Sequence, residues 1–390
     1  MTAERRQGRS QHGRIPGSRR DGKIEGPTVQ SSQWSHAGEE SRAQFVAPRG
    51  IRARTETRMN MDSREAPDPE ETWGDKQDSR ARRAALPVDR PAAAFVEHEP
   101  AAGAGSTTVA TLFLVNRECP FECVYCDLWR HTTPESVPPG SIPEQIRRGL
   151  ADLPPAREIK LYNSGNFFDP RAIPLADHPA IARLCAGFER VIVENHPRLC
   201  GERCGEFLTR LRREAQRLER SPADIRLEVA LGLETVDARS WPRLNKQMTP
   251  NDFREAARRL CGEGIDVRAF VMLQPPFVPP AGAVASAIET VEFAWDSGAR
   301  LAAVIPTRGT TATVRQWQAA GDFVEPRIGQ LEQLLDALLP RARGLLTVDT
   351  WDLERFSDCA ACGGPRQSRL AAINLAQRLL PNVTCAVCGR

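Results

Sequence analysis

The chain has 390 residues, 41% of them hydrophobic, so it can bury a core as one large domain or two smaller ones. Eleven cysteines at this length exclude a short disulfide-stapled scaffold, and the absence of an 18-residue apolar run excludes a membrane-spanning helix. The formal net charge is +3, but residues 1–60 hold 12 Arg plus Lys against 6 Asp plus Glu, which leaves the remainder at −3 and excludes a globally basic body. The opening residues, Met-Thr-Ala-Glu-Arg-Arg-Gln, lack the apolar stretch of a secretory signal, and a reducing cytoplasm is the expected compartment. Positive charge is almost all Arg, with only four lysines (Lys23, Lys76, Lys160, Lys246). That composition suits phosphate recognition, and Arg-rich codon usage explains it equally well.

In chain order, residues 1–90 are dominated by Gly, Ser, Arg, Glu and Pro without an apolar period, so a disordered, basic N-terminal segment is expected. A nucleic-acid-binding arm is the sharper reading of it, and a start at Met59 or Met61 the plainer one. Strands and helices then alternate. Strands are predicted at 107–115, 157–162, 190–194, 225–231, 265–272 and 300–305, with a short one at 345–348. Helices are predicted at 142–153 (Ser141 as cap), 179–188, 205–220, 250–264, 284–297, 329–339 and 366–380. Thr249-Pro250, with Asp252 in the first turn, is a strong helix start. Six βα repeats predict an α/β fold, a partial (β/α)6 barrel over residues 105–350. In such barrels the functional groups gather at the C-terminal ends of the strands.

The first strand runs into Cys119-Pro-Phe-Glu-Cys123-Val-Tyr-Cys126-Asp-Leu-Trp-Arg130. A Cys-x3-Cys-x2-Cys loop offers three thiolates to a four-iron cluster, which usually takes four, and so leaves one iron open. A zinc knuckle or a cluster of reduced thiols is the alternative reading. The loop closely resembles that of radical S-adenosylmethionine (SAM) enzymes, in which the residue before the third cysteine is usually aromatic, here Tyr125. The resemblance implies that Cys119, Cys123 and Cys126 bind a [4Fe–4S] cluster and are catalytic. It also implies that the open iron chelates SAM, that SAM is cleaved to a 5′-deoxyadenosyl radical, and that Tyr125 lies against SAM. An electron donor such as ferredoxin or flavodoxin is implied as well.

The later strand ends supply further candidates. Asn163-Ser164-Gly165-Asn166 follows the second strand, where radical SAM enzymes commonly carry Gly-Gly-Glu for the SAM amino group. Here only Gly165 matches in type; Asn163, Ser164 and Asn166 carry oxygens able to accept from an ammonium, and Asn163, Ser164 and Gly165 are the expected cofactor contacts. Glu194-Asn195-His196-Pro197 resembles the Glu-x-Arg-Pro stretch of the Elongator and MiaB-like groups, with His196 in place of their Arg. Gly232-Leu-Glu234-Thr235 and Leu244-Asn245-Lys246 resemble two further segments of those groups, which puts Glu234 toward SAM. Met272-Leu-Gln274-Pro275-Pro276 resembles their adenosine-flanking turn, and Pro306-Thr307-Arg308-Gly309-Thr310 their Pro-x-x-x-Gly-Thr turn. Each stretch is also ordinary turn chemistry.

Residues 351–390 form a small tail with two Cys-x2-Cys pairs, Cys359/Cys362 and Cys385/Cys388, separated by 22 residues. Four thiolates at this spacing predict a metal site, with zinc the default and an auxiliary iron–sulfur cluster the alternative. Arg366, Arg369 and Arg378 on the intervening helix are candidates for phosphate contact. Cys185, Cys200, Cys204 and Cys261 read as buried or incidental thiols.

Taken together, residues 109–390 resemble the radical SAM family of the archaeosine synthase partner subunit (RaSEA) and its bacterial relatives. The cysteine loop, Leu161-Tyr-Asn-Ser-Gly-Asn-Phe-Phe-Asp169, Gly232–Thr235 and the tail pairs carry the resemblance. It implies a tRNA substrate bearing a 7-deazaguanine base, and a partner protein. Two alternatives stay open: the same chemistry on a small molecule or protein, and a non-catalytic zinc-bound RNA-binding protein.

Overall fold

The computed structural model describes residues 86–390, apart from positions 102, 104 and 390. The expected disordered segment, 1–90, lies almost wholly outside the described residues. Eight strands form one sheet in sequential order: β1 (Ala93–Ala101), β2 (Gly105–Phe113), β3 (Glu158–Tyr162), β4 (Arg190–Asn195), β5 (Arg226–Glu234), β6 (Asp266–Leu273), β7 (Leu301–Pro306) and β8 (Leu345–Val348). β1 runs antiparallel to β2, and every later pairing is parallel. The six expected barrel strands are therefore β2 to β7, with β1 and β8 added at the edges.

Helices cross between the strands: α1 (Ser141–Ala151), α2 (His178–Cys185), α3 (Glu202–Arg217), α4 (Pro250–Gly262), α5 (Ala283–Asp296), α6 (Ala312–Ala320), α7 (Ile328–Leu338) and α8 (Ala360–Ala376). Each buries one stripe. On α3 the stripe is Cys204, Phe207, Leu208, Leu211 and Ala215, the i, i+3, i+4, i+7 spacing of a helix laid on a sheet. α4 begins as expected: the Thr249 hydroxyl accepts from the Asp252 N–H at 3.2 Å, and Asp252 Oδ2 accepts from the Thr249 N–H at 2.6 Å.

Three expectations are corrected. Ser141 does not cap α1; Gly140 holds that position at φ +90°, and its N–H donates to Asp177 Oδ1 at 2.7 Å. A left-handed backbone there suits glycine and leaves Ser141 inside the helix. The tail helix starts at Ala360 rather than Arg366, because Cys359-Ala-Ala-Cys362 already coils; Pro365 sits inside and forfeits one backbone bond. Arg366 and Arg369 are buried, which removes them as phosphate contacts.

β5 shows how the barrel is filled. Leu227, Val229, Leu231 and Leu233 join the core beneath the helices, while Glu228, Ala230, Gly232 and Glu234 take the opposite face. The inner face is thus polar at both ends. Its floor is an ionic network. Arg268 reaches Glu99 at 2.6 Å and Glu228 at 2.7 Å, Lys160 reaches Glu97 at 2.7 Å and also Glu99, and Arg300 Nε donates to Glu228 at 2.8 Å. Burial alone would raise the Glu99 carboxyl, but Arg268 and Lys160 hold it well below the carboxylate range. Above the floor, Tyr162 packs edge-on against Phe113 and Phe270, and Trp351 lies against Phe95 and Phe113. Among the described residues no helix is long and apolar enough to cross a membrane.

Candidate functional site

The loop after β2 carries Cys119, Cys123 and Cys126, all half-buried and unpaired. It has no regular structure beyond the short helical turn Leu128–His131, so its shape is imposed from outside. Four strand ends impose it. After β3, Asn166 Nδ2 donates to Cys119 Sγ at 3.0 Å, while Asn166 Oδ1 accepts from the His196 N–H at 2.6 Å. After β4, the His196 ring stacks on Phe121 with centroids 3.6 Å apart and planes 14° from parallel. After β5, the Leu244 carbonyl accepts from the Val124 N–H at 3.1 Å, and the Asn245 amide donates to the Glu122 carbonyl at 2.9 Å. After β7, the Thr311 hydroxyl donates to the Val124 carbonyl at 2.8 Å.

His196 is neutral. Burial first, then Lys246, pushes its imidazolium pKa down to about 3. Nε2 donates to the Lys246 carbonyl at 2.9 Å, and Nδ1 accepts from the Arg198 N–H at 3.2 Å. An Arg at this position would place a charge against Phe121; the neutral ring stacks instead.

Lys246 lies between the cysteine loop and the end of β5. Its Nζ lies 2.8 Å from Glu234 Oε1 and 3.2 Å from the Tyr125 hydroxyl. Burial opposes its charge, but Glu234 and then Cys123 outweigh that and raise its pKa. Gly232 makes room for this pair: a Cβ there would fall 2.2 Å from Glu234 Oε1 and 2.5 Å from Lys246 Nζ. Glu234 itself follows a register shift in β5 and takes φ +65°, one of several non-glycine left-handed residues along this rim, with Ser164 (+51°), Asn245 (+49°) and Gln274 (+59°). Backbone strain of this kind concentrates where loops are shaped for a ligand.

The other expected residues fall into place differently. The Glu194 carboxylate accepts from the backbone N–H groups of Asn163 at 2.6 Å and Gly165 at 3.3 Å, so it braces the β3 loop. Burial pushes its pKa up to about 7 against those hydrogen bonds. Asn163 is fully buried, and among the described residues neither its Oδ1 nor its Nδ2 has a hydrogen-bond partner. Met272 is buried at the end of β6. Asn166, expected as an acceptor for an ammonium, instead donates to a cysteine thiol, and Lys246 and Thr311 are site residues that the sequence does not single out. Thr310 was noted next door, and Asn245-Lys246 was noted only as a likeness.

The donor set fits an iron–sulfur cluster. Burial raises all three thiols, Cys126 to about 12, so any metal they bind must displace their protons. They are not drawn together: among the described residues, only Cys359, Cys362, Cys385 and Cys388 form a His, Cys, Asp or Glu group with ligand atoms all within 4.8 Å. An open triple leaves room for a cube of iron and sulfide; a tight quartet does not. The partnerless Asn163 amide is the polar feature that a zwitterionic cofactor would meet at this rim.

Residues 113–279 match the Radical SAM superfamily. That stretch, under half of the chain and running from the last residue of β2 to just past β6, carries the radical SAM domain, which implies a [4Fe–4S] cluster and SAM. The chain has no match among curated proteins. Among solved structures it is similar to Streptococcus suis SuiB bound to precursor peptide SuiA (14% identity, 61% of this chain and 48% of that one, TM-score 0.42). It is also similar to archaeal Methanocaldococcus infernus Elp3 (12%, 56% and 55%, TM-score 0.39) and to Escherichia coli coproporphyrinogen III oxidase HemN (13%, 66% and 53%, TM-score 0.35). The chain spans about half the length of these structures.

Proposed function

We propose that the chain holds a [4Fe–4S] cluster on Cys119, Cys123 and Cys126 and binds SAM over Tyr125, with the β3 loop and Glu234 meeting its polar groups. When bound, the cluster and SAM supply reductive cleavage to a 5′-deoxyadenosyl radical. The protein's own part is to position. Asn166 donates to the Cys119 thiol, Lys246 sets a positive charge against Tyr125 and Glu234 beside the cysteine loop, and Glu194 fixes the β3 loop. The observation that carries this reading is the cysteine loop held from four strand ends at once.

In this reading residues 105–350 are the catalytic core and 351–390 a metal-binding tail, for which the cysteine spacing favours zinc. Eleven unpaired cysteines favour a reducing cytoplasm. The electron comes from a small donor of the ferredoxin or flavodoxin kind.

For the substrate we propose a tRNA base of the 7-deazaguanine type. The Tyr162-Asn163-Ser164-Gly165 segment supports it, as do exposed Arg130, Arg198 and Arg243 on the rim loops, where phosphates would pass. A second reading keeps the chemistry and takes a small molecule or a protein; the −3 balance of residues 61–390 favours it. Anaerobic reconstitution and a tRNA mobility shift test both. The proposal expects about four irons per chain and binding that weakens steeply with salt. A chain that binds no iron contradicts it, and salt-insensitive or absent tRNA binding moves the substrate to the second reading.

A further inference from the structure

The tail cysteines have a geometry of their own. Cys359 Sγ lies 3.9 Å from Cys385 Sγ, and Cys362 Sγ lies 3.8 Å from Cys388 Sγ. All four sulfurs sit within 4.8 Å of one another. A tetrahedron with metal–sulfur bonds of about 2.3 Å has edges of about 3.8 Å. A disulfide would bring two sulfurs to about 2.05 Å. A four-iron cube would push its ligands much further apart, as the open Cys119–Cys126 triple allows and this quartet does not.

The surroundings match an ion of this kind. The apolar cluster around the quartet is only Cys359, Cys362 and Cys385, with Val383 against it. Residues 381–389 have no helix or strand, and Val387 is 76% exposed. So little apolar burial cannot by itself hold this segment against α8. Arg369 fixes its start, donating to the carbonyls of Leu380 at 2.8 Å and Pro381 at 2.9 Å. Arg366, only 2% exposed, lies one turn after Cys362 on α8 and pairs with Glu332 of α7 through Nε at 3.1 Å and Nη2 at 2.5 Å.

We propose that Cys359, Cys362, Cys385 and Cys388 hold one tetrahedral zinc ion rather than a second cluster, with Arg366 as the buried counter-charge tying it to α7. The thiols give up their protons on binding, four thiolates around a divalent ion leave an excess of negative charge, and Arg366 is the cation placed to meet it. Arg366 is a positioning residue. The inference rests on the tail being a metal site and is independent of the radical chemistry.

The test is zinc and iron analysis of the full chain purified anaerobically. The expected result is about one zinc per chain beside about four irons. Cys388→Ser, at the exposed ligand, loses the zinc and keeps the iron; Cys123→Ala does the opposite. Zinc absent with extra iron, or absent with the four thiols oxidised in pairs, overturns the ion. Zinc that stays while iron fails to bind leaves this inference standing and removes the radical reading instead. Arg366→Gln, with iron content and circular dichroism unchanged, should release zinc to a chelator roughly tenfold faster. An unchanged release rate overturns the role of Arg366.

Discussion

Asn166 donates from its side-chain amide to Cys119 Sγ at 3.0 Å, and it has no freedom to do otherwise. Its carbonyl oxygen is fixed by the His196 N–H at 2.6 Å, so the NH2 must face the thiol. Asn166 is 2% exposed, which keeps water from replacing either bond. A donor to a cluster thiolate stabilises the reduced, more negative state. Asn166→Asp removes the donor and adds a like charge. Its cluster should therefore titrate at a lower potential, by about 60 mV for each ~1.4 kcal/mol lost, in an anaerobic redox titration followed by electron paramagnetic resonance. A potential equal to that of the wild-type chain contradicts the role.

Lys246 and Glu234 form a buried pair, with side chains 13% and 11% exposed. Lys246→Met leaves the carboxylate without its cation beneath Tyr125. Removing one member of such a pair costs about 3 kcal/mol. Urea unfolding of the cluster-free chain should show that loss, and the double change Lys246→Met with Glu234→Gln should recover most of it. A loss no larger in the single than in the double variant would show that the pair is not coupled.

Glu194 predicts a pH dependence. Burial raises its pKa from 4.5 to about 7, so the folded state favours the protonated acid. The stability it contributes is fully present below about pH 4.5 and is lost as pH rises through about 7. The loss is roughly 3 kcal/mol across that window. Subtracting the pH profile of Glu194→Gln from that of the wild-type chain isolates it. A flat difference, or one that grows with pH, contradicts the assignment.

The floor of the barrel depends on Arg268, whose side chain is 5% exposed between Glu99 and Glu228. Arg268→Met leaves two buried carboxylates short of a cation and should cost about 3–5 kcal/mol in equilibrium unfolding. The loss should include the hold of β1 on the barrel, because Glu99 lies on that strand. Amide exchange in β1 should rise with it; protection unchanged from wild type would detach β1 from this network.

The barrel was legible because its outward faces are apolar. Leu227, Val229, Leu231 and Leu233 mark β5 plainly, and the same holds for each parallel strand. β1 was missed for the converse reason: Glu97 and Glu99 belong to the ionic floor, so the strand reads as a polar loop. α6 was missed because it buries only Val314, leaving no apolar period to detect. The cysteine loop was visible from spacing alone. Its supports were not, since Asn166 lies 47 residues from Cys119 and Lys246 lies 121 from Tyr125. Glu194 was found, but only folding shows that its carboxylate holds backbone N–H groups.

The most direct measurement is the yield of 5′-deoxyadenosine from SAM. The chain is reconstituted anaerobically with iron and sulfide, reduced with dithionite, and compared with Cys119→Ala, Cys123→Ala and Cys126→Ala. The account predicts 5′-deoxyadenosine from the wild-type chain and none above background from each variant. An iron-loaded wild-type chain that leaves SAM intact, or a variant that cleaves it as well as the wild type, would contradict it.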